Sequence, residues 1–232
     1  RRVPAHHGAA AGGHGVRVAP EGWPFIAIGW VLAAVAVWAA LKGSPWWWAA
    51  AIPLLALAIW VVAFFRDPVR TGPRGDTVIV SPADGHIVSV VEVDEPAYLK
   101  TRAVRVSIFM SVFDVHVNRY PVSGTIEYLH YNAGQFLHAA SDKASLDNEQ
   151  SSVGVRGARG PVLVRQIAGL IARRIVTDGK VGERVTQAER LGMIRFGSRV
   201  DVFLPLSSRP RVSVKNGDVV RAGATVLAEV GS

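Results

Sequence analysis

Two long stretches without a charged residue restrict the possible folds of this chain more than any other feature of its sequence. They are residues 25–41 and 46–65, which gives 17 and 20 residues. A helix of that length crosses, or nearly crosses, the roughly 30 Å hydrocarbon core of a bilayer, and residues 42–45 provide a turn between two such helices. We therefore predict a two-helix membrane anchor over residues 23–66. The alternative is a hairpin buried in a globular core, which would need a large partner surface to cover it.

The residues around these stretches indicate how the hairpin lies in the bilayer. Tryptophans, which favour the headgroup layer, stand near the ends of the stretches: Trp23, Trp46, Trp47 and Trp48. Basic residues lie mainly outside the hairpin: Arg1, Arg2 and Arg17 before it, Lys42 within its turn, and Arg66, Arg70 and Arg74 after it. Because positive charge is retained on the cytoplasmic side, we expect the domain at the cell membrane, facing the cytoplasm. The short first stretch and Pro53 in the second leave a shallower re-entrant hairpin open.

Composition limits the other possibilities. Residues 1–22 are rich in Gly, Ala and His without periodicity, which predicts a disordered tail; metal binding by His6, His7 and His14 is the less favoured alternative. The chain has no cysteine, so it offers neither a disulfide framework nor a thiolate metal site, and its His, Asp and Glu residues lack metal-ligand spacing. The net charge of +8 is not concentrated in a basic run, which argues against nucleic-acid binding and fits attraction to anionic lipid.

From residue 77 onward the pattern changes to short β runs separated by turns. Runs rich in β-branched residues predict strands at 77–80, 87–93, 104–110, 125–130 and 161–167. Residues 215–223 resemble the sharp hairpins of biotinyl/lipoyl-type domains. The predicted fold class of residues 67–232 is therefore mainly β, a compact β sandwich or barrel with barrel-sandwich-hybrid-like hairpins. Residues 167–175 can instead form a helical turn, and the polar stretch 135–153 predicts a long loop.

The stretch 191–205 carries the residues with the strongest chemical implication. Apolar side chains recur along it with a spacing of two, which predicts a half-buried strand, yet Gly197 and Ser198 interrupt the pattern. This pair can be a simple β-bulge. Alternatively, Gly197 can take a strained conformation that brings the Ser198 hydroxyl onto the preceding carbonyl carbon. That geometry suits an N-to-O acyl shift, ester elimination and chain cleavage, which would leave a pyruvoyl group made from Ser198.

Five segments carry a family resemblance when they are taken together and in order. They are Phe64-Phe-Arg-Asp-Pro-Val-Arg70, Val80-Ser-Pro-Ala-Asp-Gly85, Asp114-Val-His-Val-Asn-Arg-Tyr-Pro121, Gln166-Ile-Ala-Gly-Leu-Ile-Ala-Arg-Arg-Ile-Val176 and Gly192-Met-Ile-Arg-Phe-Gly-Ser-Arg-Val-Asp-Val-Phe-Leu-Pro205. Over roughly residues 60–230 they resemble phosphatidylserine decarboxylases of the short bacterial and archaeal form. The resemblance implies a pyruvoyl-dependent carboxy-lyase that captures the substrate amine as a Schiff base and converts phosphatidylserine to phosphatidylethanolamine. It also implies a proenzyme that cuts itself between Gly197 and Ser198, with the two fragments remaining associated.

The resemblance further implies roles for individual side chains. His116 matches the histidine that carries protons, and Asp84 matches the acid that orients the base during self-cleavage. Without the resemblance, His116 would be a packed strand residue and Asp84 a residue that stabilises a turn. The long bacterial forms have a second histidine where this chain has Arg119, and arginine cannot act as a base at neutral pH. Either His116 serves both steps, or the second role falls to another histidine: His86, His130 or His138.

A phospholipid substrate with a phosphate and a carboxylate needs cations near the reacting group. The candidates for substrate binding are Arg119, Lys143 and Arg195, and Arg173 and Arg174 are further available cations. Archaetidylserine, which has the same headgroup on isoprenoid tails, is an alternative substrate. A membrane-tethered barrel-sandwich adaptor or carrier, suggested by the hairpin at 215–223, is the alternative from a different class of function. The oligomeric state, including a homodimer, is left open.

Overall fold

The chain forms a mainly β domain preceded by a helical hairpin. The computed structural model describes residues 16–134, 148–169, 174–195 and 198–231. The helices are α1 (Trp23–Lys42) and α2 (Trp48–Phe64). The strands are β1 (Val16–Val18), β2 (Arg66–Pro68), β3 (Val78–Val80), β4 (Gly85–Glu95), β5 (Thr101–Met110), β6 (Val117–Arg119), β7 (Gly124–Asn132), β8 (Gln150–Gly157), β9 (Gly160–Ala168), β10 (Ile175–Thr177), β11 (Arg184–Val185), β12 (Arg190–Ile194), β13 (Ser198–Pro205), β14 (Arg211–Val212), β15 (Val219–Val220) and β16 (Val226–Glu229).

Helices α1 and α2 pack against each other through small residues and expose their large ones. Alanines supply most of the buried positions: Ala33, Ala36 and Ala40 on α1, and Ala51 and Ala58 on α2. With their initial turns, the helical stretches Pro20–Lys42 and Pro45–Phe64 have mean hydropathies of 2.2 and 2.1, and only 22% and 17% of their apolar windows are buried. A core helix of a soluble protein would be mostly buried, so the prediction of an apolar helical hairpin is confirmed. Helix α2 continues through Pro53.

An eight-stranded, curled sheet forms the body of the domain, with the order β11-β7-β8-β9-β13-β5-β4-β15. Strand β13 lies near its centre and pairs antiparallel with β5 on one side and β9 on the other. All eight residues of β13 are buried, because both faces of the sheet are covered at this position. The predicted mainly β fold is thus confirmed, and the strands predicted at 77–80, 87–93, 104–110, 125–130 and 161–167 are present with bounds that differ by a few residues.

The stretch 191–205 differs from the prediction of one half-buried strand. It contains the end of β12, which belongs to the three-stranded sheet β10-β12-β6, and then β13, which belongs to the large sheet. Ser198 is consequently the first residue of a strand and not an interruption within one. The spacing of apolar residues is the same in two successive strands as in one, so periodicity alone could not show the break. A third small sheet has the order β14-β16-β3.

Both ends of the hairpin are attached to the domain. Strand β1 pairs with β2, Glu21 forms an ion pair with Arg190 at 2.6 Å, and Asp67 forms one with Arg119. Residues 1–15 lie outside the described part of the chain, but residues 16–22 form β1 and a helical turn. The prediction of a disordered tail over residues 1–22 is therefore wrong from residue 16 onward, because pairing with β2 provides structure that local composition does not reveal.

Candidate active site

Ser198 begins β13 and is completely buried. Its register places it opposite Met110 of β5 on one side and Ala168 of β9 on the other. The Ser198 Oγ donates to Met110 Sδ at 3.4 Å. A thioether is a weak acceptor, so this contact does little to hold the hydroxyl against reaction. Gly197, the other half of the predicted cleavage site, lies outside the described residues.

His116 is completely buried immediately before β6. Its Nδ1 lies 2.9 Å from the carbonyl oxygen of Asp114, and since a carbonyl can only accept, Nδ1 carries the proton and Nε2 keeps its lone pair. Nε2 is buried and has no hydrogen-bond partner within the described ranges. Burial lowers the pKa of His116 to about 4. At neutral pH the side chain is thus an uncharged base with a free lone pair, as a proton carrier requires.

The end of the hairpin contributes one wall of the histidine site. The rings of Phe64, the last residue of α2, and His116 have centroids 4.2 Å apart. Phe64 and Phe65 also pack with Val117 and Met193 in one buried cluster. The apolar cover over His116 is therefore built in part by the hairpin, so the position of the hairpin affects the basicity of the histidine.

We expect Phe64→Ala to raise the pKa of His116 from about 4 toward the ordinary value of about 6.5, because water would reach the imidazole and stabilise its charged form. A base must be neutral to accept a proton, so reaction rates that depend on His116 would begin to fall at a higher pH. The measurement is the pH dependence of chain self-cleavage between pH 4 and 8.

Phe113→Ala is the matched control, since the Phe113 side chain lies close in sequence to His116 but is 72% exposed. In Phe113→Ala, the rate of self-cleavage should fall at the same acidic pH as in the unaltered protein. If the self-cleavage rates of Phe64→Ala and the unaltered protein fell at the same acidic pH, the Phe64 ring would not control the pKa of His116.

Asp84 lies in a turn before β4, and its carboxylate already has partners. Arg70 Nη2 donates to Oδ2 at 2.6 Å and the Ala222 backbone N–H donates to Oδ1 at 2.8 Å. Burial raises the pKa of Asp84, and both of these partners oppose the rise. The turn is fixed by Gly85, whose φ is +145° and where an added Cβ would lie 2.0 Å from the Phe109 carbonyl oxygen. The structure therefore brings Asp84 onto Arg70, while the described partner of His116 is the Asp114 carbonyl.

The predicted substrate-binding cations differ in how far they are occupied. Arg119 donates to Asp67, to the Pro68 carbonyl at 3.0 Å and to the Ala188 carbonyl at 2.9 Å, so its guanidinium is used in attaching the hairpin. Lys143 and Arg173 lie outside the described residues. Arg195 directly follows β12, and its guanidinium lies 5.3 Å from the centroid of the Phe25 ring.

The Arg195 guanidinium group has a donor that is available to a ligand. Its Nε is buried without a hydrogen-bond partner in the part of the chain that the structure describes. Burial lowers the pKa of Arg195, and the neighbouring Arg174 lowers it further. An anion placed beside this guanidinium would relieve both effects, and the guanidinium lies against Phe25 near the start of α1.

Two candidates for a second histidine are exposed, whereas Ser198 is completely buried. His86 lies on β4 between Val219 of β15 and Phe109 of β5. His130 lies on β7, and His138 lies outside the described residues. Which histidine serves the second step stays a prediction. Sequence reasoning missed the roles of Phe64 and of the Asp114 carbonyl, although both belong to segments that carried the resemblance.

Comparison with known proteins points to one family. Residues 57–228 match the model of a family described as phosphatidylserine decarboxylase. Similar proteins named phosphatidylserine decarboxylase proenzyme occur in Ralstonia nicotianae, at 48% identity over 92% of this chain and 95% of that protein, and in Aromatoleum aromaticum, at 49% identity with the same coverage. One from Paraburkholderia phytofirmans is 47% identical over 92% of this chain and 97% of its own length.

Proposed function

This chain belongs to the phosphatidylserine decarboxylase family, and on that basis we propose that it is a carboxy-lyase that converts phosphatidylserine to phosphatidylethanolamine and CO₂. The observation that carries the proposal is the burial of two poorly partnered reactive groups, Ser198 and His116. Ser198 Oγ is held only by a thioether within the described structure, and His116 presents an unprotonated, unpartnered Nε2. Burying two polar groups with so few partners costs stability, which is expected where the groups are needed for a reaction.

We propose that the first reaction is cleavage of the chain by its own residues. Ser198 Oγ passes its proton to His116 Nε2 and attacks the carbonyl carbon of Gly197. The C–O bond forms, the C–N bond breaks, and the released nitrogen takes the proton from the imidazolium, which leaves an ester. Removal of the Ser198 α-proton then breaks the bond between Cβ and Oγ of Ser198 and frees the carboxylate of Gly197. Addition of water to the remaining enamine, with loss of ammonia, gives the keto group.

The structure supports continued association of the two fragments after cleavage. The fragment 198–232 would contribute β13 near the centre of the large sheet, where it pairs with β5 and β9 of the other fragment. The same fragment supplies β15 at the sheet edge and β14 and β16 of a small sheet. Separation would break all of these ladders and expose the buried face residues Val200, Val202 and Leu204, so the cleaved chain remains one folded domain.

The residues around Ser198 fit a pyruvoyl group. The position at the start of β13 is enclosed, and a group there would be held by the neighbouring strands β5 and β9. Such a group supplies an electrophilic carbonyl that captures an amine and accepts the electrons released with CO₂. The part of His116 is to take the proton that the substrate ammonium must lose and to return a proton to the carbon that loses CO₂. The Asp114 carbonyl keeps Nε2 available for this transfer.

The hairpin explains how a lipid reaches a buried site. Phe64 ends α2 and lies against His116, so the catalytic group is close to the level at which the helix leaves the hydrocarbon. The substrate can therefore remain in the bilayer while its headgroup reacts. We propose that the protein acts at the cell membrane with its domain in the cytoplasm, and that Arg195 contacts the substrate phosphate or carboxylate; Arg119 and Lys143 are weaker candidates. The role of Asp84 in self-cleavage stays a prediction.

We expect the purified protein to consist of two chains, and the smaller one to carry a keto group in place of Ser198. Intact mass measurement should find fragments that end at Gly197 and begin at residue 198, with the amine of the second replaced by oxygen. Borohydride should reduce the keto group, add hydrogen to the small fragment alone and abolish release of phosphatidylethanolamine from phosphatidylserine vesicles. An active protein of a single, unmodified chain that tolerates borohydride would exclude the mechanism.

A further inference from the structure

Three buried or partly buried polar side chains form a continuous line of hydrogen bonds behind the candidate site. The Thr177 Oγ1 donates to Gln166 Oε1 at 2.9 Å, and Gln166 Nε2 donates to Asn118 Oδ1 at 2.8 Å. Ser151 Oγ, 2.7 Å from Thr177 Oγ1, continues the line. The line crosses strands β8, β9, β10 and β6, so no local stretch of sequence contains it.

In the structure the hydrogen bonds of the line all run in one direction, from the Thr177 hydroxyl through the Gln166 amide to the Asn118 oxygen. The Thr177 hydroxyl uses its hydrogen on Gln166, so the oxygen of the Gln166 amide faces Thr177 and its NH₂ group faces Asn118. The Asn118 side-chain oxygen therefore faces the Gln166 NH₂ group. The Asn118 NH₂ group must then point the other way, where its described contact is Met110 Sδ at 3.6 Å.

Met110 connects this line to Ser198. The same sulfur atom receives the Ser198 hydroxyl at 3.4 Å, so the Asn118 NH₂ group and the Ser198 Oγ approach one atom. Asn118 is also two residues after His116 in the chain, and both side chains are completely buried.

Burial of the Asn118 NH₂ group costs free energy that its described contact with Met110 does not offset. This cost indicates that the group has a further role. Asn118 and Gln166 are both 0% exposed, and a buried N–H donor facing only a thioether keeps most of its desolvation penalty. Apolar side chains of similar shape would fill the same space without that cost. The other three hydrogen bonds of the line are well formed. The poorly satisfied donor is therefore the Asn118 NH₂ group, which faces the reacting serine.

Resting on the self-cleavage proposed above, we propose that Asn118 Nδ2–H donates a hydrogen bond to the Ser198 oxygen while that oxygen loses its proton and attacks the preceding carbonyl carbon. Negative charge builds on the Ser198 oxygen as its proton moves to His116, and it passes to the oxygen of the attacked carbonyl group when the C–O bond forms. An N–H aimed beforehand at the serine oxygen stabilises the first part of this step. No group is consumed, since the amide keeps its protons throughout. Gln166 and Thr177 are positioning residues, which act by fixing the direction of the Asn118 amide.

The test measures self-cleavage and not turnover by the mature enzyme. The full chain is synthesised in a cell-free system with phospholipid vesicles, and the fraction cleaved is followed in time by denaturing electrophoresis. We expect Asn118→Leu to cleave about 10-fold more slowly than the unaltered chain, the loss expected for one hydrogen bond to a partly charged oxygen. Thr177→Val should slow cleavage to a smaller extent, whereas Thr177→Ser, which keeps the hydroxyl, should restore the unaltered rate.

Hydroxylamine identifies the step that is affected, because it cleaves an ester as soon as one has formed. If Asn118 assists formation of the ester, hydroxylamine leaves Asn118→Leu slow. Restoration of the unaltered rate by hydroxylamine would show that the ester forms normally without Asn118, and that outcome overturns the proposal. If the unaltered chain were not cleaved at all, the proposed self-cleavage, on which this inference rests, would itself be wrong.

Gln187→Leu is the control for loss of a buried carboxamide. Gln187 is 7% exposed, and its amide donates to the Val78 and Pro121 carbonyls at 2.7 and 2.9 Å. This variant should lose thermal stability but cleave at the unaltered rate. Equal slowing in Gln187→Leu and Asn118→Leu would attribute the effect to general destabilisation and contradict the proposal. Should Asn118→Leu fail to fold, the comparison of Thr177→Val with Thr177→Ser decides, and equal rates for these two variants overturn it.

Discussion

We expect Ser198→Ala to remain a single chain and to release no phosphatidylethanolamine above background. The hydroxyl of Ser198 is the nucleophile of the proposed acyl shift, and its carbon atoms become the keto group, so one substitution removes both reactions. Little folding stability should be lost, since the hydroxyl donates only to the Met110 thioether among the described contacts. Denaturing electrophoresis and assay on phosphatidylserine vesicles measure the two effects.

Ser107→Ala is a matched control for this substitution. Ser107 is another completely buried serine of the same sheet, on β5 opposite Asp201 of β13, and its hydroxyl accepts from Arg199 at 2.9 Å. Its loss should cost some stability, because a hydrogen bond to a charged group is worth about 1.5–3 kcal/mol, yet cleavage should proceed. Cleavage at the same bond in Ser198→Ala would rule out Ser198 as the nucleophile.

The second large effect is expected for His116→Ala, which should lower decarboxylation and self-cleavage by about 100-fold to 10,000-fold, the usual contribution of a positioned acid–base group. The reason is that Nε2 is a neutral acceptor without a hydrogen-bond partner among the described residues. Since burial holds the pKa of His116 at about 4, the unaltered protein should keep its activity from neutral pH down to about pH 5. Timed electrophoresis and the vesicle assay separate the two reactions.

His130→Ala provides the comparison, because His130 is exposed on β7 and should be dispensable for both reactions. Turnover of His116→Ala at the unaltered rate would exclude His116 from the mechanism. A variant that cleaves itself normally but fails to decarboxylate would restrict His116 to the second reaction. In that case the base for self-cleavage would have to be another group, and the predicted role of Asp84 would be the first to examine.

Much of the architecture could be predicted from the sequence because it depends on local patterns. The length and hydropathy of two uncharged stretches gave the hairpin, and β-branched runs between turns gave the mainly β domain. Five short segments gave the family, which the comparisons confirm. Ser198 and His116 were identified in the same way, and the structure buries both. In each of these cases the informative residues are neighbours in the chain.

Partners that are distant in the chain were decided only by the tertiary structure. Arg119 was a candidate for substrate binding, but the fold places it on Asp67, and Asp84 lies against Arg70 and not beside His116. Spacing carries no information about such pairs, because each depends on which strands and helix ends pack together.

Composition, periodicity and short motifs thus determined the class of fold and the family, and they supplied Ser198 and His116 as the proposed reacting residues. The direction of the Asn118 amide, the cover of Phe64 over His116 and the break between β12 and β13 required the folded chain. The physical reason is that hydropathy and strand propensity act over a few neighbouring residues, whereas the orientation of a buried donor is set by the partners that the whole sheet brings to it.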